Sequence, residues 1–166
     1  MPGESGLHRL DRWLYQDGRP NRVARLLNRI SAIQYASGLA PRNWVVLDVR
    51  GRRTGRLISF PVVVANYEGE RYLVAMLGEN ANWVRNVRAA DGRAVLRHGR
   101  HEIVRLDEVD PDDRAPILRV YLQRAPGARA HIPVDRRAPL EEFARVADRF
   151  PVFHITRPAG NGVDHP

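Results

Sequence analysis

The residues best suited to chemistry crowd one turn, where "VRGRRTGR" places Arg50, Arg52, Arg53 and Arg56 between two apolar runs. Guanidinium forks pair bidentately with phosphate or carboxylate, and Arg keeps its charge at any working pH. Gly51 and Gly55 let the backbone bend and approach a ligand closely, while Thr54 adds a hydroxyl and an N–H. The turn is therefore a candidate anion cradle. A solvated hairpin tip would carry charge of the same kind, so the surrounding motifs must decide.

A second constellation lies in "VAMLGENANWVRNVRAADG". Gly78 closes a strand, Asn80 or Asn82 can cap a new helix, and Trp83, Asn86 and Val87 recur at spacings that share a helix face. A strand end, a glycine and a helix N-terminus together present backbone N–H groups to a ligand. Trp83 also suits a purely structural place in the core.

The familiar catalytic sets are missing. There is no serine nucleophile elbow, P-loop, HExxH or distinct carboxylate pair. His98 and His101 flank a hairpin turn without a nearby acid, which suits solvent better than a metal, and no metal site is expected. His154 alternates with Phe153 and Ile155 on a strand, and reads as a solvent-facing or hydrogen-bonded histidine. His131, in the loop after Pro126 and Gly127, is a candidate for touching a substrate.

The chain has 166 residues, enough for one domain with a real core. With no cysteine, disulfides, thiolate metal sites and cysteine nucleophiles are excluded, and a reducing cytoplasmic setting fits. The opening residues lack the apolar core of a signal peptide, and no run approaches the roughly 20 apolar residues that span a bilayer. Net charge is +8, yet all 27 basic residues are arginine. That uniformity points to codon bias more than to a nucleic-acid partner, so none is expected. The remaining field still favours acidic ligands.

The elements that must position these residues are short. Residues 20–38 set Val23, Leu26, Leu27, Ile30 and Ile33 on one helical face, with Gly38 as the stop. This helix is basic and amphipathic, but packing on a sheet is its expected fate and membrane association is not expected. Strands are predicted at 45–49, 58–65, 71–77, 94–97, 102–106 and 150–156, with no crossover helix between the early ones, so pairing is antiparallel. Asp110-Pro111-Asp112-Asp113 reads as the start of a helix reaching Gln123, and a short helix is expected over 140–149. Closing such a sheet into a barrel removes its edges. The organisation expected is a helical segment over 1–40, a barrel domain over 41–157 and a disordered tail over 158–166.

The ordered set "GRRTGR", "FPVVV", "GERYLVAMLG", "NWVRNVRA" and "FPVFHIT" resembles the deazaflavin-dependent nitroreductase family, split β-barrel oxidoreductases that use coenzyme F420. The resemblance implies an α+β, mainly β fold: an antiparallel split barrel with flanking helices. It implies that Arg52, Arg53, Thr54, Gly55 and Arg56 bind the phosphate and acidic oligoglutamyl tail of F420. Pro61, Met76, Leu77, Gly78, Trp83 and Asn86 would complete the cofactor site, with residues 76–78 bordering the deazaflavin ring. Reduced F420 donates hydride, so the protein's task is to position an acceptor and exclude water rather than to supply a nucleophile. Tyr121 or His131 could donate a hydrogen bond to the acceptor oxygen.

Many members of that family carry a second basic residue on the strand after the turn, where this chain has Ile58. The linker from Gly78 to Trp83 is short, and the later loop reads "GARAHIPV" in place of a tyrosine-rich segment. The expected activity is F420-dependent reduction of a quinone, enone or nitro compound. The alternatives are a non-catalytic split-barrel carrier of F420, flavin, tetrapyrrole or fatty acyl ligand, and an FMN-dependent reductase, for which a single phosphate needs fewer arginines. Homodimers are common on this barrel.

Overall fold

The computed structural model describes residues 43–159. The helix expected over 20–38 and the last residues of the tail lie outside them. Six antiparallel strands form a closed barrel: β1 (Trp44–Arg50), β2 (Leu57–Tyr67), β3 (Glu70–Val74), β4 (Arg93–Arg97), β5 (His101–Glu108) and β6 (Val152–Thr156), in the order β1-β2-β3-β6-β5-β4. Closure leaves no free strand edge.

Side-chain alternation decides what fills it. Leu47 and Val49 of β1, Val62 and Val64 of β2, Val104 and Leu106 of β5, and Phe153 and Ile155 of β6 point inward and form one apolar core. Helix α1 (Asn82–Ala89) adds Trp83, Val84 and Val87 to that core. A second core lies outside the barrel, where Ala65, Val74 and Val152 meet Leu118, Tyr121 and Leu122 of α2 (Ala115–Arg124) and Phe143 of α3 (Leu140–Val146).

Four local readings change. The β2–β3 connection is tighter than the five-residue gap left between strands predicted at 58–65 and 71–77: Glu68 and Gly69 both take positive φ, 50° and 78°, as a two-residue hairpin turn requires. Strand β3 stops at Val74 because Gly78 turns back on Ala75, its N–H donating to the Ala75 carbonyl at 2.9 Å. Helix α1 has no side-chain cap: Ala81 holds the cap position, and Asn80 Oδ1 instead accepts from Arg85 at 2.5 Å. The helix expected from Asp110 divides. Asp110 caps only the 3-10 turn Pro111–Asp113, and α2 begins afresh at Ala115. Pro116 is the cause, since it has no N–H for the interior of a helix begun at 111 but is suited to the first turn of a new one.

Candidate functional site: an arginine turn against a helix

Strand direction puts the β1–β2 turn, the end of β3, helix α1 and the start of β4 at one end of the barrel. Within the turn, the Gly51 N–H donates to the Arg56 carbonyl at 2.7 Å and the Gly55 N–H to the Gly51 carbonyl at 2.9 Å. Gly55 has φ 68°, a left-handed conformation that other residues resist. Gly51 is needed for space: a Cβ there would stand 2.8 Å from Ile58 Cδ1 and 3.2 Å from the Arg56 carbonyl oxygen. Arg50 closes the loop from beneath, its Nη1 donating to the Gly55 carbonyl at 2.7 Å.

Arg52, Arg53, Thr54 and Arg56 are exposed around this frame. Among the described residues, none of these three arginines has a carboxylate partner. Elsewhere on the barrel Arg71, Arg88, Arg97 and Arg105 all do.

Helix α1 holds the turn through Asn86, which is 1% exposed. Its Oδ1 accepts from the Arg52 backbone N–H at 3.2 Å and from Arg52 Nη1 at 2.9 Å. Its Nδ2 is buried and has no hydrogen-bond partner among the described residues. An unpaired buried amide N–H is costly, and here it lies in a residue already bonded to the arginine turn.

Between the turn and the end of α1 lies a cavity of about 370 Å³ lined by Arg50, Arg52, Ala89, Ala90, Asp91 and Arg93, among others. Its helical wall is the C-terminal end of α1, not the N-terminal end that the sequence suggested would face a ligand. The carbonyls there are capped, with Gly92 donating to Val87 at 2.9 Å and Asp91 to Arg88 at 3.2 Å. Anion binding in this cavity therefore falls to side chains.

Residues 76–78 form an exposed turn at the same end. Leu77 is 62% exposed, the one exposed large hydrophobic side chain among the described residues, while Met76 is half-buried and Gly78 has φ 81°. Pro61 is half-buried on β2 opposite Val46. Trp83 is 9% exposed and packs on Phe153, ring centroids 5.5 Å apart, as part of the barrel core.

The two candidate acceptor-side donors line neither this cavity nor the larger one described next. Tyr121 is buried in the outer apolar core, and that burial raises its phenol well above the usual value of 10. His131 is exposed beyond the 3-10 turn Pro126–Ala130. His154 lies outside the barrel, bonded to Glu70 at 2.7 Å and stacked on Tyr72, and His98 bonds the Trp44 carbonyl through Nδ1 at 2.7 Å. Among the described residues no group of three acidic or histidine side chains is arranged to hold a metal ion.

The larger cavity, about 830 Å³, opens at the opposite end of the barrel among Val45, Val64, Leu96, His98, Arg71 and Glu102. There Arg71 already forms a two-bond pair with Glu102, at 3.0 and 2.5 Å. Arg100 and Arg157 also line this cavity, so it too carries positive charge, without the glycine-framed turn of the smaller one.

The profile of the F420H(2)-dependent quinone reductase family matches residues 22–140. The chain belongs to that family. Coenzyme F420 is the family's cofactor, and its members are oxidoreductases. No curated protein matches the chain. Among solved structures, an F420-H2 dependent reductase (FDR-A) is similar at 19% identity and TM-score 0.48, covering 70% of this chain and 96% of that one. A conserved hypothetical protein from Mycobacterium tuberculosis is similar at 13% identity and TM-score 0.50, over 76% of this chain and 79% of its own. A heme binding protein from Mycobacterium smegmatis is similar at 16% identity and TM-score 0.48, over 70% of this chain and 46% of that chain. At these identities the likeness is one of fold. Family membership also spans the arginine turn, α1 and β4, so every wall of the smaller cavity falls within the matched residues.

Two features of the site escaped the sequence reading. The bond between Asn86 and Arg52 joins residues 34 apart in sequence, and Arg93 reaches the cavity only because β4 closes the barrel against β1.

Proposed function

We propose that this member of the F420H(2)-dependent quinone reductase family binds F420 at the arginine turn and reduces an electron-poor small molecule, a quinone, enone or nitro compound. The observation that carries the reading is the set of exposed arginines, Arg52, Arg53 and Arg56, that have no carboxylate partner among the described residues. They call for acceptor oxygens, and a phosphate with an acidic tail supplies them. Gly51, where a Cβ would collide, keeps the backbone of the turn low enough for that approach.

Reduced F420 supplies a two-electron hydride donor. Arg52, Arg53, Thr54 and Arg56 hold the anionic portion, Arg52 being fixed in direction by Asn86. Exposed Leu77, with Met76 and Gly78 beside it at the same end of the barrel, would border the deazaflavin ring and help keep water from it. The protein's contribution is orientation and water exclusion.

The test is a fluorescence titration with oxidised F420 and, in parallel, FMN, followed by anaerobic oxidation of reduced F420 in the presence of a naphthoquinone, a cyclohexenone and a nitroaromatic. Tight F420 binding, weak FMN binding and acceptor-dependent oxidation are expected. Preference for FMN overturns the cofactor assignment at this turn, and F420 binding without oxidation by any acceptor class overturns the reductase reading in favour of a carrier.

A further inference from the structure

The turn is not the whole of the anion site. The cavity of about 370 Å³ has two charged walls: Arg52 comes from the β1–β2 turn, and Arg93, the first residue of β4, comes from the other side. Arg93 is exposed and forms no ion pair or side-chain hydrogen bond with any described residue. Its position is fixed by backbone constraints. Asp91 and Gly92 take positive φ, 53° and 75°, and a Cβ on Gly92 would stand 2.6 Å from the Leu106 carbonyl oxygen, so this turn is pinned against β5. The Gly92 carbonyl also accepts from the Leu106 N–H at 2.8 Å.

Between these walls the floor offers no backbone donors, because it is the capped carbonyl end of α1. An anion entering here must be gripped by guanidinium groups from both sides. The one carboxylate on the cavity, Asp91, is 72% exposed at its side chain and lies 3.7 Å from Arg105, outside the lining. At position 58, meanwhile, the side chain is apolar and committed to packing over Gly51.

We propose that Arg93 is a binding residue for the anionic tail of the cofactor, gripping it across the cavity from Arg52 and supplying from β4 the cation that position 58 does not. The ligand class this selects carries a phosphate and at least one further carboxylate, since a single phosphate does not need both walls. The inference rests on the reading that F420 binds at the arginine turn.

The experiment measures the affinity of wild type, Arg93→Gln, Arg93→Lys and Arg52→Gln for oxidised F420 with short and long oligoglutamyl tails, at low and high salt, with thermal midpoints recorded alongside. Arg93→Gln is expected to lose about tenfold in affinity for the long-tailed form and less for the short, the scale of one charge-assisted contact. Arg93→Lys should recover most of that loss, and the midpoint should hold. Affinity within about twofold of wild type in Arg93→Gln, with Arg52→Gln impaired, overturns the role of Arg93 and leaves F420 binding intact. Equal losses in Arg93→Gln and Arg93→Lys, with a lowered midpoint, overturn it in favour of a purely structural residue. Failure of wild type itself to bind F420 overturns the underlying reading, and this one with it.

Discussion

Asn86 Oδ1 accepts hydrogen bonds from both the backbone N–H and the guanidinium of Arg52, at 3.2 and 2.9 Å, so one buried amide on a helix sets the direction of an arginine on a turn. This geometry separates folding from binding. Asn86→Ala leaves the Arg52 N–H without its acceptor, and a stability loss of about 1–3 kcal/mol in denaturant unfolding is expected. Asn86→Asp keeps the acceptor but sets a negative charge against Arg52. It should weaken F420 binding well beyond its effect on stability, and unaltered affinity in this variant would show that Arg52 does not meet the anion.

Gly51 predicts a coupled pair of substitutions. Its Cβ position collides mainly with Ile58 Cδ1 at 2.8 Å, with the Arg56 carbonyl further off at 3.2 Å. Gly51→Ala should therefore cost about 1–3 kcal/mol by overpacking. Ile58→Val removes the colliding methyl, and the double variant should be more stable than the sum of the two single changes implies. Strict additivity would place the strain elsewhere in the turn.

Acid should loosen the ion pairs around the last turn of α1. Arg88 donates to Glu79 at 2.7 and 3.3 Å and to Glu108 at 2.9 and 2.5 Å, and the Arg88 hydrogen bond holds the Glu79 carboxyl below its usual 4.5. A carboxyl lowered on folding stabilises the native state above its unfolded pKa, and the benefit disappears as pH falls through the folded value. The groups are partly exposed, so solvent screening limits the effect to under about 1 kcal/mol. Wild type should lose more thermal stability than Glu79→Gln between about pH 6 and about pH 3, and identical acid slopes would remove this ion pair from the account.

The barrel was legible because short runs of β-branched residues are separated by turn signals, and because two glycines mark the β1–β2 turn. Contacts that cross the closure were not. Nothing local to Asn86 says that it meets Arg52, and its helix spacing shared with Trp83 suggested one role where the structure gives two: Trp83 fills the barrel, and Asn86 braces the turn. The helix from Asp110 was overextended because its capping acids are genuine but serve a single 3-10 turn, while the decisive residue, Pro116, lies further on. Tyr121 and His131 were chosen for chemistry alone. Packing in the outer core and exposure in a loop place both away from the cavities.

Arg53 and Arg56 offer the sharpest separation of charge from structure. Both are exposed, and neither side chain bonds a described residue, so replacing either with alanine should change stability by no more than about 0.5 kcal/mol. Their contribution to F420 binding would be electrostatic and open to solvent. Affinity of Arg53→Ala and Arg56→Ala should fall below wild type at low salt, and the gap should narrow as the screening length drops from about 10 Å at 0.1 M to about 3 Å at 1 M. A gap that persists unchanged at high salt points instead to a desolvated, geometrically fixed contact. No gap at low salt would mean that these two arginines are ordinary surface charge, and the anion site would contract to the cavity between Arg52 and Arg93.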